Sequence, residues 1–297
     1  MEKEQDNSYH KMNLNWYPGH MAKAKNDIKS EMKLIDIVIE VLDARIPMSS
    51  INLDFEQLFF SKPKIIVLNK SDLADNQETL KWKKHFEENG IKTVIMNTEN
   101  KKNIKELIDL VEQIGKMVYN EKNSTRKIEI KPIYRVAIVG IPNVGKSTLI
   151  NKLAKRDSSK VGNKPGVTVT NKWIRIANNI DLLDTPGLLM PKLDKNFAGE
   201  KLALTGNIKQ EIVDVEELAC FGIGLIKEDL KYKERLIKKY SLQSIDLEKE
   251  NYEILELIGK KNGCLISGGN IDTVRASKLF LDDIKNGRLG NISFERC

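Results

Sequence analysis

The chain has 297 residues, 40% hydrophobic and 31% charged, which is enough to bury one full core and a smaller second one. Its three cysteines (Cys220, Cys264 and Cys297) are far apart and form no C-x-x-C pair, which disfavours a disulfide or zinc framework and favours a reducing cytoplasm. We find no apolar run of 18 residues and no signal-peptide pattern, so we expect no membrane span.

The net charge of +7 is concentrated in residues 121–175, a segment that contains thirteen Lys and Arg residues but only three Asp and Glu residues. Two interpretations are open. A solvated linker and a triphosphate site could each require cations, or this stretch could contact a polyanion such as RNA. Charge alone does not separate these two interpretations.

Strand and helix patterns alternate after a polar tail, residues 1–15, that we expect to be disordered. We predict strands at 35–42, 64–68, 92–96, 133–139, 172–177 and 180–184. Helical patterns lie at 77–89, at 101–117 and after the fourth strand as far as 154. This rhythm predicts an α/β fold with a parallel sheet. Beyond residue 198 the pattern is helical, at 212–229, 231–240, 248–261 and 271–286, which predicts a separate helical domain.

A guanine-recognition motif follows the second predicted strand. Asn69-Lys70-Ser71-Asp72 has the form N-K-x-D. The Asp72 carboxylate can accept hydrogen bonds from N1–H and the 2-amino group of guanine, whereas adenine would leave it unpaired. Asn69 can bond the base, and the Lys70 stem can cover the ring. Asn97-Thr98 follows the third strand, where a second base-contacting loop is expected.

A phosphate-binding loop follows the fourth predicted strand. Gly140-Ile141-Pro142-Asn143-Val144-Gly145-Lys146-Ser147 matches G-x-x-x-x-G-K-[ST], and Thr148 continues into the helix. The glycines admit backbone N–H groups to the phosphates, Lys146 supplies a positive charge, and the Ser147 hydroxyl can bind Mg²⁺. We therefore assign residues 143–148 to nucleotide binding.

Two further elements suit a triphosphate site. Asp184-Thr185-Pro186-Gly187 matches D-x-x-G, in which the Asp holds the metal and the Gly N–H senses the γ-phosphate. In the Gly- and Pro-containing stretch before it, Thr168 is the candidate switch hydroxyl for Mg²⁺, with Thr170 as a substitute and a solvated loop threonine as the alternative. The base motif precedes the P-loop, which reverses the usual order. Residues 16–197 are therefore predicted to be a circularly permuted GTPase domain, and residues 198–297 a helical domain.

The chain resembles the bacterial ribosome biogenesis GTPase A family. The resemblance is carried by Trp16–Ala24, Leu42–Pro47, Asn69–Asp75, Gly140–Thr148 and Lys261–Gly269. It implies a cytoplasmic, GTP- and Mg²⁺-dependent GTPase that acts late in large ribosomal subunit assembly, with ribosomal RNA as a partner. We expect a monomer.

Hydrolysis requires a group that orients the attacking water. Many GTPases use a Gln directly after D-x-x-G, but this chain has Leu188 there. The resemblance implies that His20 is catalytic, and Lys146 and Gly187 complete the predicted catalytic group. The alternative for His20 is a surface histidine that packs or contacts RNA. Asn143 resembles the residue of GTPases in which K⁺ supplies positive charge between the phosphates.

The helical domain offers one candidate RNA contact. The segment 231–240 places cations beside Tyr232 and Tyr240, which could stack on unpaired bases, and the alternative is a solvated basic helix. A GTP-gated RNA-binding module with incidental hydrolysis is the competing function. A GTPase of tRNA modification is disfavoured, because no Gly-rich dinucleotide fingerprint occurs.

Overall fold

Six strands in the first part of the chain form one mixed sheet. The strands are β1 (Ile37–Asp43), β2 (Lys64–Asn69), β3 (Lys92–Ile95), β4 (Tyr134–Val139), β5 (Lys172–Ala177) and β6 (Ile180–Asp184), in the spatial order β3-β2-β1-β4-β6-β5. Neighbours run parallel, except that β5 is antiparallel to β6. The computed structural model describes residues 29–98, 100–122, 132–155, 172–177, 179–184, 197–210 and 213–297.

The central strands are apolar because helices cover both faces of a parallel sheet. Every residue of β1 is buried, and so are five consecutive residues of β2 from Ile65 to Asn69. The six strands predicted from the sequence are confirmed within two residues at each end. Short segments of strand length rich in apolar residues therefore carried enough information to locate the strands.

The strand order reverses direction between β1 and β4. From β1 the chain proceeds outward through β2 to β3, whereas β4 and the strands that follow it build the other half of the sheet. In the shared register Val38 pairs with Ala137 and Ile39 pairs with Ile138. Ligands of open α/β sheets bind beyond the carboxyl ends of the strands at such a reversal. The predicted P-loop follows β4 at this edge.

Helices of the same unit are α1 (Pro47–Ser50), α2 (Leu53–Leu58), α3 (Asn76–Glu88), α4 (Lys101–Lys122) and α5 (Lys146–Lys155), and a 3-10 turn spans Met32–Leu34. Asp75 begins α3 as its N-cap, because its carboxylate accepts hydrogen bonds from the N–H groups of Gln77 and Glu78 at 2.9 and 3.3 Å. The sequence did not predict α1 and α2, since four and six residues are too few to show a helical period.

The second unit is helical, as predicted. It contains α6 (Ala198–Leu204), α7 (Val215–Lys227), α8 (Leu230–Tyr240), α9 (Asn251–Lys261) and α10 (Thr273–Lys285). Buried side chains from these helices include Leu218, Leu236, Ile258 and Phe280. Gly222 lets α7 pack closely, because a Cβ there would lie 2.8 Å from a methyl group of Leu204. Within the described ranges, none of the helices has the length and apolarity needed to cross a membrane.

The last five residues belong to the unit that contains the sheet. The chain divides into one unit of Trp16–Pro191 with Ser293–Cys297, and another that includes Lys192–Ile292. The sequence had assigned all of 198–297 to the helical domain, so the two divisions differ at Ser293–Cys297. The chain therefore returns to the sheet-containing unit after it has formed the helices.

Candidate nucleotide-binding site

The P-loop takes a conformation that requires glycine at two positions. Gly140 has φ +148°, and a Cβ there would lie 2.5 Å from the Val41 carbonyl oxygen of the neighbouring strand. Gly145 has φ +102°, and its Cβ would lie 2.2 Å from the side-chain nitrogen of Asn69. Any other residue would clash at either position. The two glycines thus allow the loop to pass directly against β1 and the end of β2.

Lys146 begins α5 and its side chain is buried, with 7% exposed. Its ammonium group donates hydrogen bonds to the carbonyl oxygens of Gly140 at 3.0 Å and Ile141 at 2.8 Å. The start of the P-loop therefore wraps around the Lys146 ammonium group. Phosphate oxygens are stronger acceptors for an ammonium group than neutral carbonyls, so this arrangement suits an anion at the loop. Ser147 and Thr148, on the first turn of α5, are exposed.

The base motif directly contacts the P-loop. Asn69 is the last residue of β2 and is buried, and its side-chain amide donates to the Val144 carbonyl at 2.7 Å. The Oδ1 atom of the same amide is buried, and none of the described atoms hydrogen-bonds to it. A buried acceptor without a partner costs free energy, so this position suits a donor group from a ligand or an ordered water. The two motifs therefore share one location.

The loop that contains Ser71 and Asp72 lies next to the predicted second base loop. The Ser71 N–H donates to the Met96 carbonyl at 3.2 Å, and Asn97 and Thr98 follow directly and are half-buried. The Asn97 N–H donates to the Asn103 side chain at 3.3 Å. Asp72 is exposed, so its carboxylate is accessible to a ligand.

Lys70 is held by a buried carboxylate that the site prediction did not include. Lys70 has a left-handed backbone, φ +56°, and its ammonium group lies 3.0 Å from Asp43 Oδ2. The same carboxylate accepts from the Arg45 guanidinium at 2.8 and 3.0 Å. Asp43 and Arg45 are both buried. The available sequence signal was a D-x-R triplet that begins at the last residue of a buried strand, since two buried opposite charges must pair.

Several predicted site residues have no described side chain. His20, Thr168 and Gly187 lie outside the described residues, as does Thr170. Of Asp184 only the backbone is described; it pairs with Ile138 of β4, the strand that leads into the P-loop. Asn143 is exposed in the P-loop with φ +56°. Among the residues the structure describes, no group of three or more His, Cys, Asp or Glu side chains could hold a metal ion. Ser147 is the described candidate for Mg²⁺.

The structure corrects the interpretation of the basic helix in the second unit. Tyr232 and Tyr240 are 1% and 2% exposed, so neither ring is available to stack on a base. The Tyr240 hydroxyl donates to Asp283 at 3.0 Å, and burial together with this carboxylate raises the pKa of the phenol. The residues 232, 236 and 240 repeat at four-residue spacing on one helix face, which indicates a core face. Lys231 and Lys238 are exposed on the same helix.

Similar proteins identify the family. Residues 135–258 match the family model of the 50S ribosome-binding GTPases. Ribosome biogenesis GTPase A of Bacillus licheniformis is 42% identical over 285 residues, which cover 96% of this chain and 99% of that protein. The chain belongs to the ribosome biogenesis GTPase A family. The protein of the same name from Thermotoga maritima is 34% identical over 95% of this chain and 94% of its own length.

Solved structures of this family resemble the chain as well. A structure described as GDP-bound TM YlqF is 30% identical with a TM-score of 0.59, and covers 91% of this chain and 98% of that one. GNP-bound YlqF from T. maritima is 28% identical with the same TM-score. The matched family model begins at residue 135, after the base motif. As a ribosome biogenesis GTPase A family member, the chain is a P-loop GTPase that binds guanine nucleotides and takes part in ribosome biogenesis.

Proposed function

We propose that this GTPase acts in late maturation of the large (50S) ribosomal subunit in the cytoplasm. It binds the precursor particle and its ribosomal RNA in the GTP state, as a monomer, and leaves after hydrolysis, which the particle stimulates. The GTP-binding part of this proposal rests on the hydrogen bond from Asn69 to Val144, because it brings the guanine motif and the phosphate loop together. The ribosomal part rests on membership of the ribosome biogenesis GTPase A family. Guanine is held by residues 69–72 with Asn97 and Thr98, and the phosphates by residues 143–148.

Metal ions complete the site in this proposal. Mg²⁺ supplies charge that stabilises the transferring phosphoryl group, and Ser147, Thr168 and Asp184 would hold it. K⁺ would bind near Asn143, which faces solvent on the P-loop. The Lys146 ammonium group would exchange its carbonyl partners for phosphate oxygens. The Gly187 N–H would donate a hydrogen bond to the γ-phosphate when GTP is bound.

His20 replaces the missing glutamine in the proposed hydrolysis. Leu188 has no polar group with which to orient water, whereas a neutral imidazole can accept a proton of the attacking water. The particle would complete the site by fixing His20 near the γ-phosphate. This requirement would make turnover slow in the free protein and fast on its target.

Nucleotide state would be transmitted by chain connectivity. Because of the permutation, Asp184 to Gly187 is the last predicted nucleotide-site motif of the sheet-containing unit before the helical unit begins at Lys192. A γ-phosphate that orders this switch would act on the segment that leads directly into the helices. Cations such as Lys231 and Lys238 would contact RNA phosphates, whereas the buried tyrosines would not.

Sucrose-gradient co-sedimentation tests the proposal. The protein is mixed with precursor large subunits and with small subunits, under GTP, GDP and a non-hydrolysable analogue. We expect co-migration with the large-subunit precursor under GTP and the analogue, loss under GDP, and a steep fall in binding as salt rises. Exclusive migration with small subunits would overturn it. The competing function, a GTP-gated RNA-binding module, requires single-turnover hydrolysis that the particle does not accelerate.

A further inference from the structure

We propose that the C-terminal residues Ser293–Cys297, the C-terminal latch, position the guanine-recognition loop and so set nucleotide selectivity. The inference rests on the proposed role of residues 69–72 in holding the base. The latch packs within the sheet-containing unit, and Ser293, Phe294 and Glu295 are buried at 3%, 8% and 8% exposure. Its hydrogen-bond partners lie more than 200 residues earlier in the chain.

The first connection runs from the latch to the end of the base loop. The Asp75 N–H donates to the Ser293 hydroxyl oxygen at 3.1 Å. Asp75 lies three residues after Asp72 and is also the N-cap of α3. Ser293 therefore fixes the point where the base loop becomes a helix. A shift of Asp75 would move the Asp72 carboxylate relative to the guanine edge.

The second connection runs to Lys70 through a buried ion pair. The Phe294 N–H donates to the Arg45 carbonyl at 2.8 Å. The Arg45 side chain pairs with Asp43, and Asp43 pairs with the Lys70 ammonium group at 3.0 Å. Charged groups in such a chain hold one another in fixed geometry, because each would be costly to leave unpaired in the interior. The latch thus supports the cation whose stem covers the base.

The third connection runs through α1. The Glu295 carboxylate accepts from the Met48 N–H at 2.7 Å and from both the N–H and the hydroxyl of Ser49. These amides belong to the first turn of α1, where no intrahelical acceptor is available. The next residue, Ser50, accepts from the Asp43 N–H through its hydroxyl at 3.1 Å. Glu295 therefore anchors the helix that holds the backbone of Asp43.

All three connections reach residues on the base side of the site. The P-loop contacts of Lys146 involve Gly140 and Ile141. A defect in the latch should therefore weaken recognition of the base more than recognition of the phosphates. The direct readout is the ratio of dissociation constants for IDP and GDP, because hypoxanthine lacks the 2-amino group that Asp72 is proposed to bind. A merely destabilised protein would lose active fraction, but its folded molecules would keep this ratio.

The experiment compares full-length variants by calorimetric titration with GDP and IDP. The latch is perturbed by Ser293→Ala, by Glu295→Gln and by deletion of residues 293–297. Cys297→Ser is the matched control, since the contact of Cys297 with Glu78 uses its backbone N–H. We expect about tenfold weaker GDP binding in the latch variants, with an IDP/GDP ratio that moves toward one. The control should retain both values.

The outcomes separate this inference from the proposed function. If the wild type discriminates, Asp72→Asn abolishes discrimination and every latch variant retains the wild-type ratio, the latch inference is overturned and the guanine site remains. If the wild type binds IDP as tightly as GDP, both are overturned. Should the deletion fail to fold, the two single substitutions decide. By linkage, GDP should also slow hydrogen exchange at the Phe294 and Asp75 amides in the wild type, and unchanged exchange would contradict the coupling.

Discussion

The side-chain amide of Asn69 donates a hydrogen bond to the backbone carbonyl of Val144 across 2.7 Å, although the two residues are 75 positions apart. Asn69 ends a strand on one side of the sheet reversal, and Val144 lies in the loop after a strand on the other side. This hydrogen bond therefore connects the base motif to the P-loop. Reversing their order in the chain leaves this contact intact, because it depends on where strands end and not on how they are connected.

Loss of the Asn69 side chain should weaken both the site and the fold. Asn69→Ala removes the bond to Val144, so we expect a free energy of unfolding lower by about 1 kcal/mol and GDP binding weaker by about tenfold. Asn89→Ala is a matched control, since its amide donates to the His85 carbonyl at 2.8 Å on the exposed end of α3. GDP titration and denaturant unfolding measure the two effects. Equal GDP affinity in wild type and Asn69→Ala would argue against a shared site.

Hydrolysis should depend on which monovalent cation is present. If K⁺ binds near Asn143, GTP turnover should be at least about tenfold faster in KCl than in NaCl at equal ionic strength, since a cation between the phosphates does the work of an arginine finger. Asn143→Ala should lose most of this difference between the two salts. Steady-state phosphate release in the two salts is the measurement. Identical rates would show that K⁺ has no part in hydrolysis.

Substitution of His20 should slow GTP hydrolysis without weakening GTP binding. His20→Ala should keep GTP affinity within about twofold and lower turnover on the precursor particle by about a hundredfold, as expected for loss of a general base. His85→Ala, on the exposed face of α3, is the control and should turn over normally. Single-turnover hydrolysis with the large-subunit precursor present measures the effect. If His20→Ala hydrolyses GTP at the wild-type rate under those conditions, a group other than His20 orients the attacking water.

Stability should vary with pH through a buried carboxyl group in β1. Burial raises the pKa of Glu40 above 4.5, and the Lys64 ammonium group 3.2 Å away offsets this only in part. A carboxyl whose pKa is higher in the folded state stabilises it below pH 4.5 and loses this contribution as pH rises through the folded pKa. Glu40→Gln should therefore gain stability relative to wild type as pH rises from 4.5. Parallel unfolding curves across pH would contradict this.

The sequence predicted the sheet well because its signals are local. The buried runs at β1 and β4, and the glycines at 140 and 145, each reflect a constraint visible within a few residues. The predicted stacking of Tyr232 and Tyr240 on RNA is wrong, because with Leu236 they repeat every four residues and form a buried helix face, although the charges between them favour an RNA contact. The predicted metal and switch residues stay predictions, because Thr168, Gly187 and the Asp184 side chain lie outside the described part of the chain.

Other features had no local signal at all. Glu295 contacts Ser49 across 246 residues, and nothing in the sequence around either one marks the pairing. The bond from Lys70 to Asp43 likewise depends on the parallel pairing of β1 with β2, which places Asp43 opposite Asn69. Such contacts follow from the topology of the whole unit, so they become visible only once the strand order is known.

The most direct test of the central claim is a change of base preference by one substitution. Asp72→Asn replaces two acceptors with one acceptor and one donor, a pattern that fits xanthine, whose 2-carbonyl replaces the 2-amino group of guanine. Calorimetric titration should show GDP binding weaker by at least about a hundredfold and XDP binding gained by a similar factor. GDP bound by this variant as tightly as by the wild type would contradict the account.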